Sequence, residues 1–246
     1  FGEWLRILRK RGSQDPILHT YDDLIATLDE NGYTPERDLF TFPYNWRKSN
    51  VETALLLKQK IDEVKTICAC DKVDLVAHSM GGLAARQYIQ SDAYDMDVDQ
   101  LIFLGTPHLG APKAYLMWEG GELGANDISG FVLQEILNQE AEEEGYADLF
   151  TYIRNKPILS VQELLPTYDY VFDGSELRQY PIGYPTNIFL ESLNDAVSGF
   201  LTSGVRLYNF VGDHPGLDTL TAVTVGNGDS YLPKWTHGYP VGFYER

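Results

Sequence analysis

Apolar residues recur along the chain at two different periods, and the switching between them predicts the fold. Leu24, Ile25 and Leu28 form a helical stripe, with Thr20 ahead of it and Gly32 behind it. Asp22 and Asp23 fall in the first turn, where the helix dipole favours acid, so the spacing predicts a helix capped by Thr20 and stopped at Gly32. Residues 38–47, DLFTFPYNWR, read as a short aromatic strand ending at Pro43. Ala54, Leu57, Ile61, Val64 and Cys68 then recur at spacings of 3 and 4, predicting an amphipathic helix that opens on a Ser49–Glu52 capping box.

A tighter pattern follows. KVDLVAH reads as a strand, the segment from about Gly81 to Ile89 as a helix, and VDQLIFLGTP as the next strand. Strand, helix and strand at this spacing define a βαβ unit and a mostly parallel sheet, hence an α/β fold. From about Lys113 to Ser203 the pattern loosens into Tyr- and Pro-rich loops around one amphipathic helix in GFVLQEILNQEAEEEGYADL. Strand signals return at VRLYNFVGD and LTAVTV. We therefore expect one domain over residues 1–246, with residues 113–203 inserted over one end of the sheet as a lid or cap.

The chemistry of interest sits where the pattern changes period, in VDLVAHSMGGLAAR. A serine at a sharp strand-to-helix turn has its hydroxyl held out at the carboxyl end of the sheet. The next backbone N–H and the helix N-terminus point to the place where an oxyanion would develop. Such a turn needs small residues two before and two after the serine, and Ala77 and Gly81 meet that need although the usual first glycine is absent. Ser79 is thus read as a nucleophile, the competing reading being an ordinary turn serine. His78, adjacent to it, would point elsewhere and is a poor base.

Bulk properties narrow the function class. A chain of 246 residues, 43% hydrophobic and 22% charged, buries one sizeable core, and no apolar run reaches the ~18–20 residues that span a bilayer. A formal net charge of −17 repels phosphate backbones, excluding nucleic acid as a partner, and disfavours anionic membranes without disfavouring neutral lipid. Cys68 and Cys70, two apart, are read as unpaired apolar fillers and are too few for a zinc site. Asn227, Asp229 and Ser230 offer oxygen ligands without the spacing of a calcium loop, so neither a metal nor a cofactor is expected.

Several segments together resemble the lecithin:cholesterol acyltransferase family, a branch of the α/β-hydrolases that acts on lipid esters. They are YDDLIATLDENGY, LFTFPYNWR, KVDLVAHSMGGLAAR, LIFLGTPHLGAPKAY, LSVQELLPTYDYVF and VGNGDSYLP, in the family's order. The resemblance implies an α/β-hydrolase fold, with helices on both faces of the sheet and a lid over the lipid site. It makes Ser79 the nucleophile and the Met80 N–H one half of the oxyanion hole. Asp229 takes the place of the family's acid in the loop Gly226–Pro233, where a carboxylate could hold a histidine's tautomer; the bland alternative is a loop-capping aspartate. A lipid or other ester substrate, transient contact with a lipid surface and an extracellular or cell-surface location are implied in the same way. One departure is Asn45, where the family's PYDWR carries an aspartate.

The base is the open position. A serine hydroxyl is a weak nucleophile without one. His19 and His78 read as structural, and by the resemblance His108 is a packing residue. His237 alone follows Asp229, in the chain order Ser, Asp, His of this fold, but only eight positions on. A histidine outside this sequence is the equal competitor, and His214, after a late strand, comes behind both. The chain opens at Phe1, and only 17 residues follow Asp229, so we expect a processed or excised piece lacking terminal elements of the fold. Two functions follow. The first is a serine-dependent lipid ester hydrolase or acyltransferase using Ser79, Asp229 and His237. The alternative is a catalytically incomplete α/β-hydrolase module that binds a lipid or protein partner.

Overall fold

A computed structural model of the chain describes residues 21–120, 128–172, 176–212 and 223–224. The described residues divide into two compact units. One holds the residues up to Leu104 together with Ser198–Asn209, and the other holds those of Gly105–Val197 with the remainder.

The first unit is built on a βαβ crossover. Helix α1 (Asp22–Glu30) and helix α2 (Asn50–Cys68) precede strand β1 (Val73–His78), helix α3 (Met80–Ile89) and strand β2 (Val98–Leu104). β1 and β2 are parallel, as the alternation of periods predicts, with Ala77 opposite Phe103 and His78 opposite Leu104. The register slips after Val73, which pairs with Val98, while Asp74 pairs with Gln100. The extra residue, Asp99, explains why Val98 and Leu101 are both fully buried although three apart in a strand. β2 lies between β1 and β4 (Arg206–Phe210).

One core fills this unit. Ala54, Leu57 and Ile61 of α2 meet Ala85, Tyr88 and Ile89 of α3 and Val98, Leu101 and Phe103 of β2, with Phe200 and Val205 closing it. Burial of these side chains supplies the dominant favourable term, about 1.5–3 kcal/mol for each large residue. Phe200 lies in helix α9 (Val197–Leu201), edge-on to Phe103 with the ring centroids 6.2 Å apart. A buried polar link ties the crossover together. Asp97 accepts from the Tyr88 hydroxyl at 2.6 Å and from Lys65 Nζ at 3.2 Å, while its carbonyl accepts the Val73 N–H at 2.9 Å.

Three local expectations are corrected. The first helix is capped at Tyr21, with Thr20 outside the described residues. The predicted strand around Phe40–Pro43 does not form; Phe42 packs its ring against the core and stacks on Tyr44. Side-chain packing takes the place of a ladder there, and Pro43 has no N–H to offer one. Cys68 and Cys70 form a disulfide. Ala69 adopts the left-handed conformation (φ 52°, ψ 42°) and turns the chain at the helix end, so the two Cα atoms come 5.3 Å apart, within bridging range. The Ser49 cap is in place, accepting the Val51 N–H at 3.1 Å, and Glu52 pairs with Lys48.

The second unit carries α4 (Lys113–Gly120), α5 (Ile128–Glu143), α6 (Leu149–Asn155), α7 (Leu159–Gln162), β3 (Val171–Phe172), α8 (Ile188–Asp195) and β5 (Val223–Thr224). β3 and β5 pair in parallel. Its core is aromatic, with Tyr115, Tyr170 and Tyr184 packed against Leu165, Val171 and Val223. The Tyr184 hydroxyl accepts the Tyr170 and Val171 N–H groups and donates to the Arg178 carbonyl, so all its hydrogen-bonding capacity is used inside. Among the described residues no helix is long and apolar enough to cross a membrane.

Candidate active site

Strand β1 ends at His78 and helix α3 begins at Met80, leaving Ser79 alone at the turn. Its backbone is at φ 51°, ψ −127°, a conformation that costs a non-glycine residue about 1–3 kcal/mol. The surroundings hold it there. The Ser79 N–H donates to the Leu104 carbonyl of β2 at 3.0 Å, and its own carbonyl accepts the Gly82 N–H at 3.0 Å. Met80 and Gly81 are the first helical residues, so their N–H groups have no partner within the helix. Ser79 itself is partly exposed, whereas Met80 beside it is buried.

The small residues around the turn serve different purposes. Ala77 faces inward, and its methyl packs against the core opposite Phe103, so the usual glycine is replaced without a clash. Gly81 has an ordinary backbone conformation, and a Cβ added there would meet, among the described residues, only the Tyr44 hydroxyl at 3.6 Å. That is normal van der Waals contact. Gly81→Ala is therefore expected to fold with stability unchanged or raised by up to about 1 kcal/mol, because alanine is the better helix former. Urea denaturation checks this, and a loss of several kcal/mol would show that Gly81 is sterically required.

Two tyrosines flank the turn that sequence patterns did not single out. Tyr21 is hydrogen-bonded through its hydroxyl to His78 Nδ1 at 2.9 Å, with the rings edge to face. This bond engages the histidine next to Ser79. Tyr44 stands beside Gly81, and burial pushes its hydroxyl up to about 12, with nearby Tyr21 adding to the shift, so it stays protonated as a donor. Asn45, where the resembling motif carries an aspartate, accepts the Arg47 N–H through its Oδ1 at 3.2 Å.

The remaining candidates are placed as follows. Asp229, His237, His214 and His19 lie outside the described residues. His108 belongs to the second unit, where its carbonyl accepts Asn194 Nδ2 at 3.0 Å. The motif around it is tightly built. Gly110 sits at φ 91° against Leu165 and Pro166, while Ala111 N–H donates to the Leu164 carbonyl and Thr167 N–H to the Leu109 carbonyl. Buried Asn187 caps α8 through the Leu190 N–H and donates to the Leu165 carbonyl at 2.7 Å. Away from the turn, Asp62, Asp95 and Asp97 gather their carboxylates within 4.8 Å. Lys58 bridges the first two at 2.9 and 2.7 Å, and Lys65 pairs with the third, so each carboxylate already has a lysine partner.

A parallel βαβ crossover with a strained serine between its strand and its helix is the central unit of an α/β-hydrolase, and that is the fold of this chain. The profile of the lecithin:cholesterol acyltransferase family matches residues 8–198, and the chain belongs to that family. Among curated proteins it is similar to the phospholipase A(1) LCAT3 of Arabidopsis thaliana, at 32% identity over 99 residues, 39% of this chain and 22% of that protein. It is also similar to lecithin-cholesterol acyltransferase-like 4 of the same plant, at 28% identity over 99 residues, covering 39% of this chain and 18% of that protein. The matched segments thus span less than a quarter of the plant relatives' length. Among solved structures, the mature Bacillus licheniformis lipase BlEst2 aligns with 69% of this chain and 51% of its own, at 18% identity and a TM-score of 0.40. The Tle4–Tli4 complex aligns with 74% of this chain and 46% of its own, at 17% identity and a TM-score of 0.45.

Proposed function

We propose that the protein is a serine-dependent lipid ester hydrolase or acyltransferase working through an acyl-enzyme. The observation that carries this reading is the backbone of Ser79, held at φ 51° between β1 and α3 at a stability cost that an ordinary turn serine has no reason to impose. In the first step Ser79 Oγ attacks the ester carbonyl carbon. The Met80 N–H, at the positive end of α3, donates to the oxygen that becomes negative. His237 takes the serine proton and returns it to the leaving alcohol, and Asp229 orients that histidine. In the second step water or an acceptor alcohol attacks the acyl-enzyme, giving a free acid or a new ester. Residues 113–203 supply the contact with the lipid surface. Membership of the family supports a lipid ester as substrate.

Turnover of phosphatidylcholine vesicles, with and without a sterol acceptor, tests the reading and separates acid release from ester formation. Asp229→Ala and His237→Ala are each expected to lower kcat by at least about 10³-fold, whereas His214→Ala leaves it within a few-fold. The opposite ranking of the two histidines would make His214 the base. Absence of turnover by the unmodified chain would favour the incomplete binding module.

A further inference from the structure

The Cys68–Cys70 bond lies at the junction between α2 and β1, and the proposed ester chemistry makes no use of it. It closes a loop with a single residue inside it. So short a loop removes little entropy from the unfolded chain, and the gain grows only with loop length, so stability alone does not account for the bond. Its local effect is different. The bond brackets Ala69, whose left-handed backbone is one that residues with a Cβ avoid. The N–H groups of Ala69 and Cys70 both turn back to the Lys65 carbonyl. Three residues after Cys70 the chain enters β1, which runs directly to Ser79. Both cysteines are partly exposed, and Ala69 and Asp71 on either side of Cys70 are exposed, so a small thiol has access to the sulfurs.

We propose that Cys68–Cys70 is a thiol–disulfide exchange site for small thiols of the glutathione class, and that its redox state sets how firmly the turn into β1 is held. In the forward direction an external thiolate attacks one sulfur. A new sulfur–sulfur bond forms as the Cys68–Cys70 bond breaks, and the released cysteine thiolate takes up a proton. A second external thiol then displaces the first, leaving both cysteines as thiols and one external disulfide. Two electrons and two protons are transferred in all. With the bond open, Ala69 is free to leave the left-handed region, and the helix end and strand start are no longer clamped. The reverse reaction with an external disulfide restores the clamp.

The test uses the full chain under native conditions, equilibrated in glutathione buffers from fully oxidised to fully reduced and quenched with iodoacetamide. Mass spectrometry of the peptide carrying Cys68 and Cys70 counts the alkylated thiols. We expect a shift from no label to two labels without loss of the circular dichroism of the fold. Amide exchange within Val73–His78 is expected to be about tenfold faster in the reduced protein, and the Cys68→Ser/Cys70→Ser protein should match the reduced form. Three results would each overturn the proposal: no labelling until denaturant is added, two labels even in oxidised glutathione alone, or identical β1 protection in both redox states. The labels report sulfur chemistry and the amides report the turn, so these outcomes are independent of whether Ser79 turns over an ester.

Discussion

Ser79→Ala is expected to lower ester turnover by about 10⁴–10⁶-fold, the loss seen when the attacking hydroxyl is removed from a serine triad. The fold should survive, because the hydroxyl is partly exposed and the bonds that fix the turn are made by the backbone, from Ser79 N–H to Leu104 and from Gly82 N–H to Ser79. Alanine keeps the Cβ and therefore keeps the strain of φ 51°. Ser79→Gly removes it, so that variant should be equally inactive and more stable by about 1–3 kcal/mol. The pair of substitutions separates chemistry from conformation. Thermal unfolding of both proteins beside the parent reads the stability, and release of fatty acid reads the turnover. Stability that fell in Ser79→Gly would mean that the turn is not strained as its backbone angles imply. Under the proposed function, this strain is stability given up to position a nucleophile.

The largest structural effect is expected at Gly110. An alanine Cβ there would lie 2.5 Å from Pro166 Cα and 2.6 Å from the Leu165 carbonyl oxygen, both backbone atoms, at a φ of 91°. The conformation alone costs roughly 1–2 kcal/mol, and forcing two packed loops apart adds roughly 1–3. Gly110→Ala should therefore destabilise the second unit by about 2–5 kcal/mol, with the Ala111–Leu164 and Thr167–Leu109 bonds the first to open. Urea denaturation gives the magnitude, and amide exchange at Ala111 and Thr167 shows where it falls. Gly81→Ala, in the motif beside Ser79, is expected to do none of this. Two glycines of family motifs thus differ in kind. One is required by a close backbone approach, and the other occupies space that a methyl group would fit.

Much of the first unit is legible in the sequence for a physical reason. Ala54, Leu57 and Ile61 at helical spacing, and the apolar runs of β1 and β2, report directly which faces are buried. The strand-to-helix change at Ser79 is legible because so few residues lie between the two periods. Features set by the tertiary environment are not. Residues 40–43 have strand composition, yet Phe42 is drawn into the core and no strand forms. The Cys68–Cys70 bond depends on Ala69 turning left-handed, which an alanine at a helix end gives no sign of. Likewise the contact of Tyr21 with His78, across 57 residues of sequence, leaves no periodic trace. The resemblance carried in GTPHLGAP finds its physical basis only once Leu165 and Pro166 are seen against Gly110.

The central claim is that Ser79 is an activated nucleophile, and its reactivity toward a fluorophosphonate is the direct measure. An unactivated serine does not react with such a probe, whereas one with a base beside it does. Peptide mass spectrometry of the labelled native chain should show one adduct, on Ser79, absent from Ser79→Ala and from the protein unfolded before labelling. No adduct on Ser79 at any pH from about 6 to 9, a range that carries an ordinary histidine from mostly protonated to neutral, would contradict the account.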